Sequence, residues 1–288
     1  GAASIASGSI TYGMLTYYLQ LVSILRAPLQ SVSGIIPQYY SMLASAERLM
    51  ELENIESEPE VVADNKLLEL KQNFDNIIID HIDFGYNSKL ILSDCAFEIP
   101  KNQITALTGE SGSGKSTLFK LLLGLYEPTV GNITFNGNIP VNASTRAMFS
   151  YVPQGNMILS GTIKDNLTLC DNSIPEEEIN KALKAAVIYD FIKTLPDGIN
   201  TKLSERGAGL SEGQIQRISI ARALLFDAPI ILLDESTSAL DEQTETQLLS
   251  NIKSMTDKTV LFITHRNTSI SVCDNIIHVE DKKFVKIK

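Results

Sequence analysis

The sequence is short of cysteine and of positive charge, and each shortage closes off a class of function. Cys95, Cys170 and Cys273 are the only thiols, widely spaced and in no CxxC pair, which excludes a disulfide framework and a thiolate zinc site and fits a reducing, cytosolic setting. The 24 Lys and Arg face 34 Asp and Glu, a net charge of −10, so the chain lacks the basic surplus needed to neutralise a nucleic-acid backbone. No internal repeat or extended low-complexity tract interrupts the 288 residues. The N-terminus has neither an initiator Met nor a basic n-region, which argues against a secretory signal and points to a piece of a longer polypeptide. What is plentiful is apolar side chain, 44% of residues, enough for a sizeable core.

Charge is also unevenly spread. Residues 1–50 hold only Arg26, Glu47 and Arg48, and residues 1–25 hold none. Twenty-five helical residues reach about 37 Å, enough to cross a hydrocarbon core of about 30 Å. Ser, Thr and Gln20 interrupt the run, so it reads as a membrane helix packed among others, with a buried helix of a soluble protein as the competing reading. Pro28 and Pro37 can bend its continuation over residues 27–46. The acidic stretch ELENIESEPE then reads as a linker, dividing the chain into residues 1–50, a linker over 51–65 and a domain over 66–288.

Beyond the linker, apolar strand-like runs at Asn76–Ile79, Ile104–Leu107, Ile133–Phe135, Ile230–Leu233 and Val260–Ile263 alternate with helical patterns. One helix is predicted over Glu176–Phe191, capped by Ser173 with Glu176 and presenting Ile179, Ala182, Leu183 and Ala186 on one face. Short apolar strands separated by helices predict a largely parallel sheet covered on both sides.

The sharpest local signal is Gly109-Glu110-Ser111-Gly112-Ser113-Gly114-Lys115-Ser116-Thr117, which satisfies GxxxxGK[ST] between the strand ITAL and the apolar run Leu118–Leu125. Such glycines let successive backbone N–H groups turn toward a phosphate, which also meets the positive end of the following helix. Lys115 would add charge at the β- and γ-phosphates, and the Ser116 hydroxyl would ligate Mg²⁺. Downstream, Ile230–Leu233 runs into Asp234 and Glu235. Asp234 suits a Mg²⁺ partner at the carboxyl end of a strand, and Glu235 is placed to orient or deprotonate an attacking water.

With these in hand, the chain resembles the nucleotide-binding domain of an ABC transporter, of the exporter type that fuses membrane and ATPase domains. Leu210-Ser211-Glu212-Gly213-Gln214 is similar to the signature LSGGQ, Tyr151-Val152-Pro153-Gln154 to the Q-loop, Ser238-Ala239-Leu240-Asp241 to the D-loop and Ile263-Thr264-His265-Arg266 to the switch histidine. Tyr86 stands where the family carries an adenine-stacking aromatic, and the motifs together cover residues 76 to about 280. Residues 201–207 resemble the TEVGERG segment that touches the membrane domain in exporters, and Ala44–Arg48 resembles the end of a last transmembrane helix.

The resemblance implies an α/β P-loop NTPase of ABC type with a mixed-sheet core, a helical signature subdomain at about 155–228 and an N-terminal membrane helix left from a six-helix domain. It implies ATP stacked on Tyr86 with its phosphates on residues 109–117, and Mg²⁺ held by Ser116, Gln154 and Asp234. Glu235 would handle the water, His265 would hold the γ-phosphate and fix Glu235, and Ser211, Gly213, Gln214 and Asp241 would complete the site of a second nucleotide-binding domain, in a homodimer or with a paralogue. The ATPase domain would lie on the cytoplasmic side of a membrane, and no nucleic acid is expected. Residue 212 departs from the pattern, with Glu in place of Gly; a Ser211–Gln214 capping box and the helix dipole predict that it points away from the nucleotide. Two rivals share the phosphate motifs: a soluble ABC-type ATPase working on DNA or ribosomes, disfavoured by the acidic charge, and a silent regulatory module, which would be expected to lack Glu235 or His265.

Overall fold

Apolar side chains alternate in parity along the central strands, and that alternation builds the domain. Ile104, Ala106, Ile231, Leu233, Val260 and Phe262 join one buried cluster, while their neighbours Leu107, Ile230, Leu232, Leu261 and Ile263 join another. A strand with both faces apolar is stable only when each face is covered, so these strands lie in the middle of the unit. The computed structural model describes residues 8, 11–55, 57–58, 64–155, 157–171, 173–203, 209–226, 228–255 and 257–288. The chain divides into two compact units, residues 1–58 and 59–288.

Among the described residues the first unit holds one helix, α1 (Tyr12–Glu53), started by Thr11, whose hydroxyl accepts from the Met14 N–H at 3.3 Å. It continues through Pro28 and Pro37, and its large apolar residues, among them Tyr17, Leu25, Ile36 and Met42, are exposed. It is long and apolar enough to cross a membrane, with an 18-residue window of mean hydropathy 1.3.

In the second unit, α2 (Asp64–Asn73) precedes the long strands β1 (Asn76–Tyr86) and β2 (Lys89–Pro100). β3 (Ile104–Gly109) leads into α3 (Lys115–Leu122), and β4 (Val130–Phe135), β5 (Ile139–Pro140) and β6 (Phe149–Val152) follow. The helical stretch begins at β7 (Gly161–Thr162) and contains α4 (Ile163–Thr168), α5 (Glu176–Ala185), α6 (Tyr189–Thr194), β8 (Lys202–Leu203) and α7 (Glu212–Leu225). The chain then returns through β9 (Ile230–Asp234), α8 (Glu242–Lys253), β10 (Thr259–Ile263), α9 (Asn267–Ile270), β11 (Asn275–Glu280) and β12 (Lys283–Lys286).

The main sheet has the order β12-β11-β3-β10-β9-β6, parallel except for the edge strand β12. The predicted runs at 76–79 and 133–135 do not join it. They lie in β1 and β4 of a separate antiparallel sheet, β2-β1-β4-β5, so the fold is mixed rather than one parallel sheet. The predicted helix over 176–191 is also two helices, because Val187 takes a left-handed φ of +56° that no α-helix accommodates. Its cap differs too: Ser173 bonds Asp171, and Pro175 occupies the cap position of α5. The three cysteines are free; burial pushes the Cys273 thiol up to about 12.

Candidate active site

The phosphate loop starts where β3 ends. Gly109 has φ +135°, and a Cβ there would meet the Val279 carbonyl oxygen of β11 at 2.6 Å, so only glycine fits between the strands. Gly114, at φ +108°, is the residue from which α3 starts, and Ser111 and Gly112 are exposed at the loop's tip while Ser113, Ser116 and Thr117 are half-buried. Lys115 is 4% exposed, and its ammonium donates to the carbonyls of Gly109 (2.9 Å) and Glu110 (2.6 Å). Burial lowers its proton affinity, with Glu235 and Asp234 acting in the opposite direction.

β9 delivers the two acids beside this loop. Asp234, 3% exposed, accepts from the Ser116 hydroxyl on Oδ1 (3.1 Å) and from the Tyr151 hydroxyl on Oδ2 (3.2 Å). Burial raises its pKa from the ordinary carboxylate value, and the charge of Glu235 adds to that against the two hydrogen bonds. Glu235 turns out of the strand at φ +50°, a strained conformation for a residue with a side chain, and points its carboxylate between two partners. Gln154 Nε2 donates to Oε2 at 2.9 Å, and His265 Nε2 lies 3.5 Å from Oε1. Residues from four stretches of sequence thus converge at the carboxyl ends of β3, β6, β9 and β10, where ligands of parallel sheets gather.

The ABC transporter family matches residues 92–238, half of the chain. This chain belongs to that family. The chain is 38% identical to a probable ABC transporter ATP-binding/permease protein of Haemophilus influenzae over 258 residues, 88% of this chain and 46% of that protein. It is 39% identical to the lactococcin-G-processing and transport ATP-binding protein of Lactococcus lactis over 285 residues, 96% of this chain and 40% of that one. Among solved structures it resembles a bacterial Atm1-family ABC exporter with ATP bound, with a TM-score of 0.73 and 32% identity over 86% of this chain and 44% of the exporter. The chain spans about half the length of the curated relatives it matches. Membership brings ATP binding with it.

Elsewhere in the ABC domain, Ser211 caps α7: its hydroxyl accepts from the Gln214 N–H (3.3 Å) while Gln214 Oε1 accepts from the Ser211 N–H (2.8 Å), as the capping box predicts. Glu212 is exposed in the first turn, where a carboxylate complements the helix N-terminus. Ser211 and Gln214 bond each other and Gly213 lies against Ala239 and Leu240 of the 238–241 loop; no hydrogen bond links the three to their own phosphate loop among the described residues. Asp241 caps α8, accepting from the backbone N–H and hydroxyl of Thr244, and those bonds lower its pKa. Tyr86, at the end of β1, packs edge-on against Phe84 and Tyr126, with the Lys120 ammonium 5.7 Å from its ring. Of residues 201–207, Lys202 and Leu203 pair with β7, and 204–207 lie outside the described residues.

Several contact residues escaped the sequence reading. Gln216 of α7 donates to Ser238 Oγ (3.1 Å) and accepts from the Ala239 N–H (3.0 Å). Arg266 donates to the Ser238 carbonyl (2.7 Å) and to Glu245 (3.0 Å), and Glu245, 1% exposed, also accepts from the Thr237 hydroxyl (2.6 Å). Beside β6, Phe149, Tyr151, Met157, Leu159, Arg222 and Phe226 line a largely apolar groove of about 270 Å³. Tyr151 and Arg266 lie inside quoted motifs and Gln216 two residues past one, without those motifs assigning them these contacts; Glu245 and the other groove residues have no local signal.

Proposed function

We propose that the ABC domain is the ATP-hydrolysing motor of an exporter and that it works as one of two such domains closing head to tail over two nucleotides. The observation that carries this reading is the Glu235 carboxylate held between Gln154 and His265, next to a buried Asp234 that already accepts from Ser116. Tyr86 would stack on adenine and residues 109–117 would receive the phosphates. Glu235 would take a proton as a water oxygen bonds to the γ-phosphorus; the bond from that phosphorus to the β–γ bridging oxygen breaks, and ADP and phosphate leave. His265 would hold the γ-phosphate and orient Glu235. The donors at Ser116, Asp234 and Gln154 are all hard oxygens, the set that Mg²⁺ takes, so these residues would hold it. When bound there, Mg²⁺ would neutralise charge building on the phosphates.

Ser211, Gly213, Gln214 and Asp241 would serve the partner's nucleotide, since among the described residues the start of α7 makes no hydrogen bond to its own phosphate loop and a helix N-terminus favours an anion. The partner would be a second copy or a paralogous chain. The permease half of the relatives and the length of α1 favour a membrane-embedded exporter, with the ABC domain on the cytoplasmic side, over an ATPase of DNA or ribosomes. Residues 201–207 and the groove beside β6 would receive the membrane domain's cytoplasmic loops. Glu235→Gln tests the core of the reading: it keeps the hydrogen-bonding shape but cannot take the proton, so ATP binding should persist while turnover falls at least a hundredfold, as loss of a general base predicts. Phosphate release near the parental rate would place the base elsewhere.

A further inference from the structure

Asp234 has two carboxylate oxygens and a different chain element secures each one. Oδ1 accepts from Ser116, in the first turn of α3, and Oδ2 accepts from Tyr151, at the third position of β6. The phenol is itself fixed, because its ring meets Phe119 of α3 edge to face at 6.2 Å between centroids and 86° between planes. Asp234 is 3% exposed, so little water competes for Oδ2, and Glu235 and Lys115 are the charged groups nearest to it. A carboxylate with one partner can turn about its last torsion; one with a donor on each oxygen keeps its plane.

We propose that Tyr151 is a positioning residue for the divalent cation, its hydroxyl holding Oδ2 so that Asp234 and the Ser116 hydroxyl keep one arrangement toward the metal. This rests on the reading of Ser116 and Asp234 as cation-holding residues. Tyr151 would touch neither nucleotide nor metal and would act through Asp234. Its strand ends one residue later, and Pro153 and Gln154 follow, so the same ring also anchors the stretch that carries Gln154. Phenylalanine fills the same space and keeps the contact with Phe119, which makes Tyr151→Phe a removal of one hydrogen bond and little else.

The test compares the full chain carrying Glu235→Gln, in which turnover should be suppressed and binding kept, with the same chain carrying Tyr151→Phe as well. Binding of a fluorescent ATP analogue is titrated against MgCl₂ and, separately, measured in EDTA. A hydrogen bond to a charged acceptor is worth enough to move the half-saturating Mg²⁺ concentration about tenfold upward. Affinity in EDTA should stay unchanged, which a general collapse of the nucleotide site would not allow, while the melting temperature should fall by only a few degrees, as loss of one buried hydrogen bond predicts. An unchanged Mg²⁺ midpoint overturns the proposal, and so does an equal loss of affinity with and without Mg²⁺. If the parent itself binds no better with Mg²⁺ than in EDTA, the cation reading fails, and this inference falls with it.

Discussion

Replacing Gly213 by Ala adds a single methyl group at the point where the signature helix meets the 238–241 loop. Gly213 lies in the first turn of α7 with φ outside the left-handed region, so its backbone does not require glycine and alanine should favour the helix by up to about 1 kcal/mol. The objection to a side chain is steric: an ideal Cβ would stand 2.9 Å from the Ala239 carbonyl oxygen and 3.4 Å from Leu240 Cδ2. The loop cannot yield freely, because Gln216 grips Ser238 and Ala239 and Arg266 grips the Ser238 carbonyl. Overpacking of this kind costs about 1–3 kcal/mol, so after the helix gain the net loss of stability should be up to about 2 kcal/mol. Urea unfolding of the full chain measures that loss, with Glu212→Ala, an exposed neighbour, expected within about 0.5 kcal/mol of the parent. ATP turnover should fall by more than the unfolded fraction explains, since the displaced loop carries Asp241. A Gly213→Ala chain as stable and as active as its parent would refute the claim that this contact keeps helix and loop in register.

Three other perturbations follow from the same contacts. Lys115→Ala should abolish tight ATP binding while circular dichroism stays unchanged, and an undiminished affinity would remove the phosphate-loop assignment. Mixing the Lys115→Ala chain with a Ser211→Ala chain should restore part of the turnover that each lacks alone, through one composite site; no rescue on mixing would show that each chain completes its own site. Asp274 is raised by burial but lowered further by the Ile104 N–H (3.0 Å) and the Lys253 ammonium (2.6 Å), so its folded pKa lies below the ordinary carboxylate value. That stability is present above the unfolded pKa and lost as pH falls through the folded one, so Asp274→Ala should cost about 1–3 kcal/mol at neutral pH and progressively less below about pH 4. A deficit that stays constant from pH 7 to about pH 3 would contradict it.

Sequence reasoning reached furthest where chemistry and backbone coincide in one short stretch. The phosphate loop needs its glycines, lysine and serine in a row between a strand and a helix, and the Ser211 cap needs only Gln214 three residues on. The strands around Ala106, Leu232 and Phe262 were legible for the same reason, since a run buried on both faces is apolar throughout. The antiparallel sheet was not, because β1 and β2 are half-exposed and broken by register shifts near Ile82, with His81 and Asp94 at positive φ. Val187 hides its helix break equally well, as nothing in its side chain favours a left-handed backbone. Gln216, Glu245 and Tyr151 act across separations of 22, 21 and 83 residues, and pairings that distant leave no periodic trace.

The cluster that begins on one face of the main sheet does not stop there. Ala106, Val152 and Leu233 share it with Ile163, Leu167, Ile179, Leu183 and Ile218 of the helical stretch and with Leu248 of α8. Helices α4 to α7 therefore share one interior with the sheet, and cut out as a fragment they would expose the apolar surface that Ala106, Val152 and Leu233 cover. Any tilt of these helices during a working cycle has to be a small slide of packed side chains over Val152 and Leu233, because a swing on a hinge would open the shared interior to water. A chimaera that exchanges only residues 160–225 with a relative should consequently fold in proportion to how well the new helices fit the old sheet face, whatever their own sequence prefers.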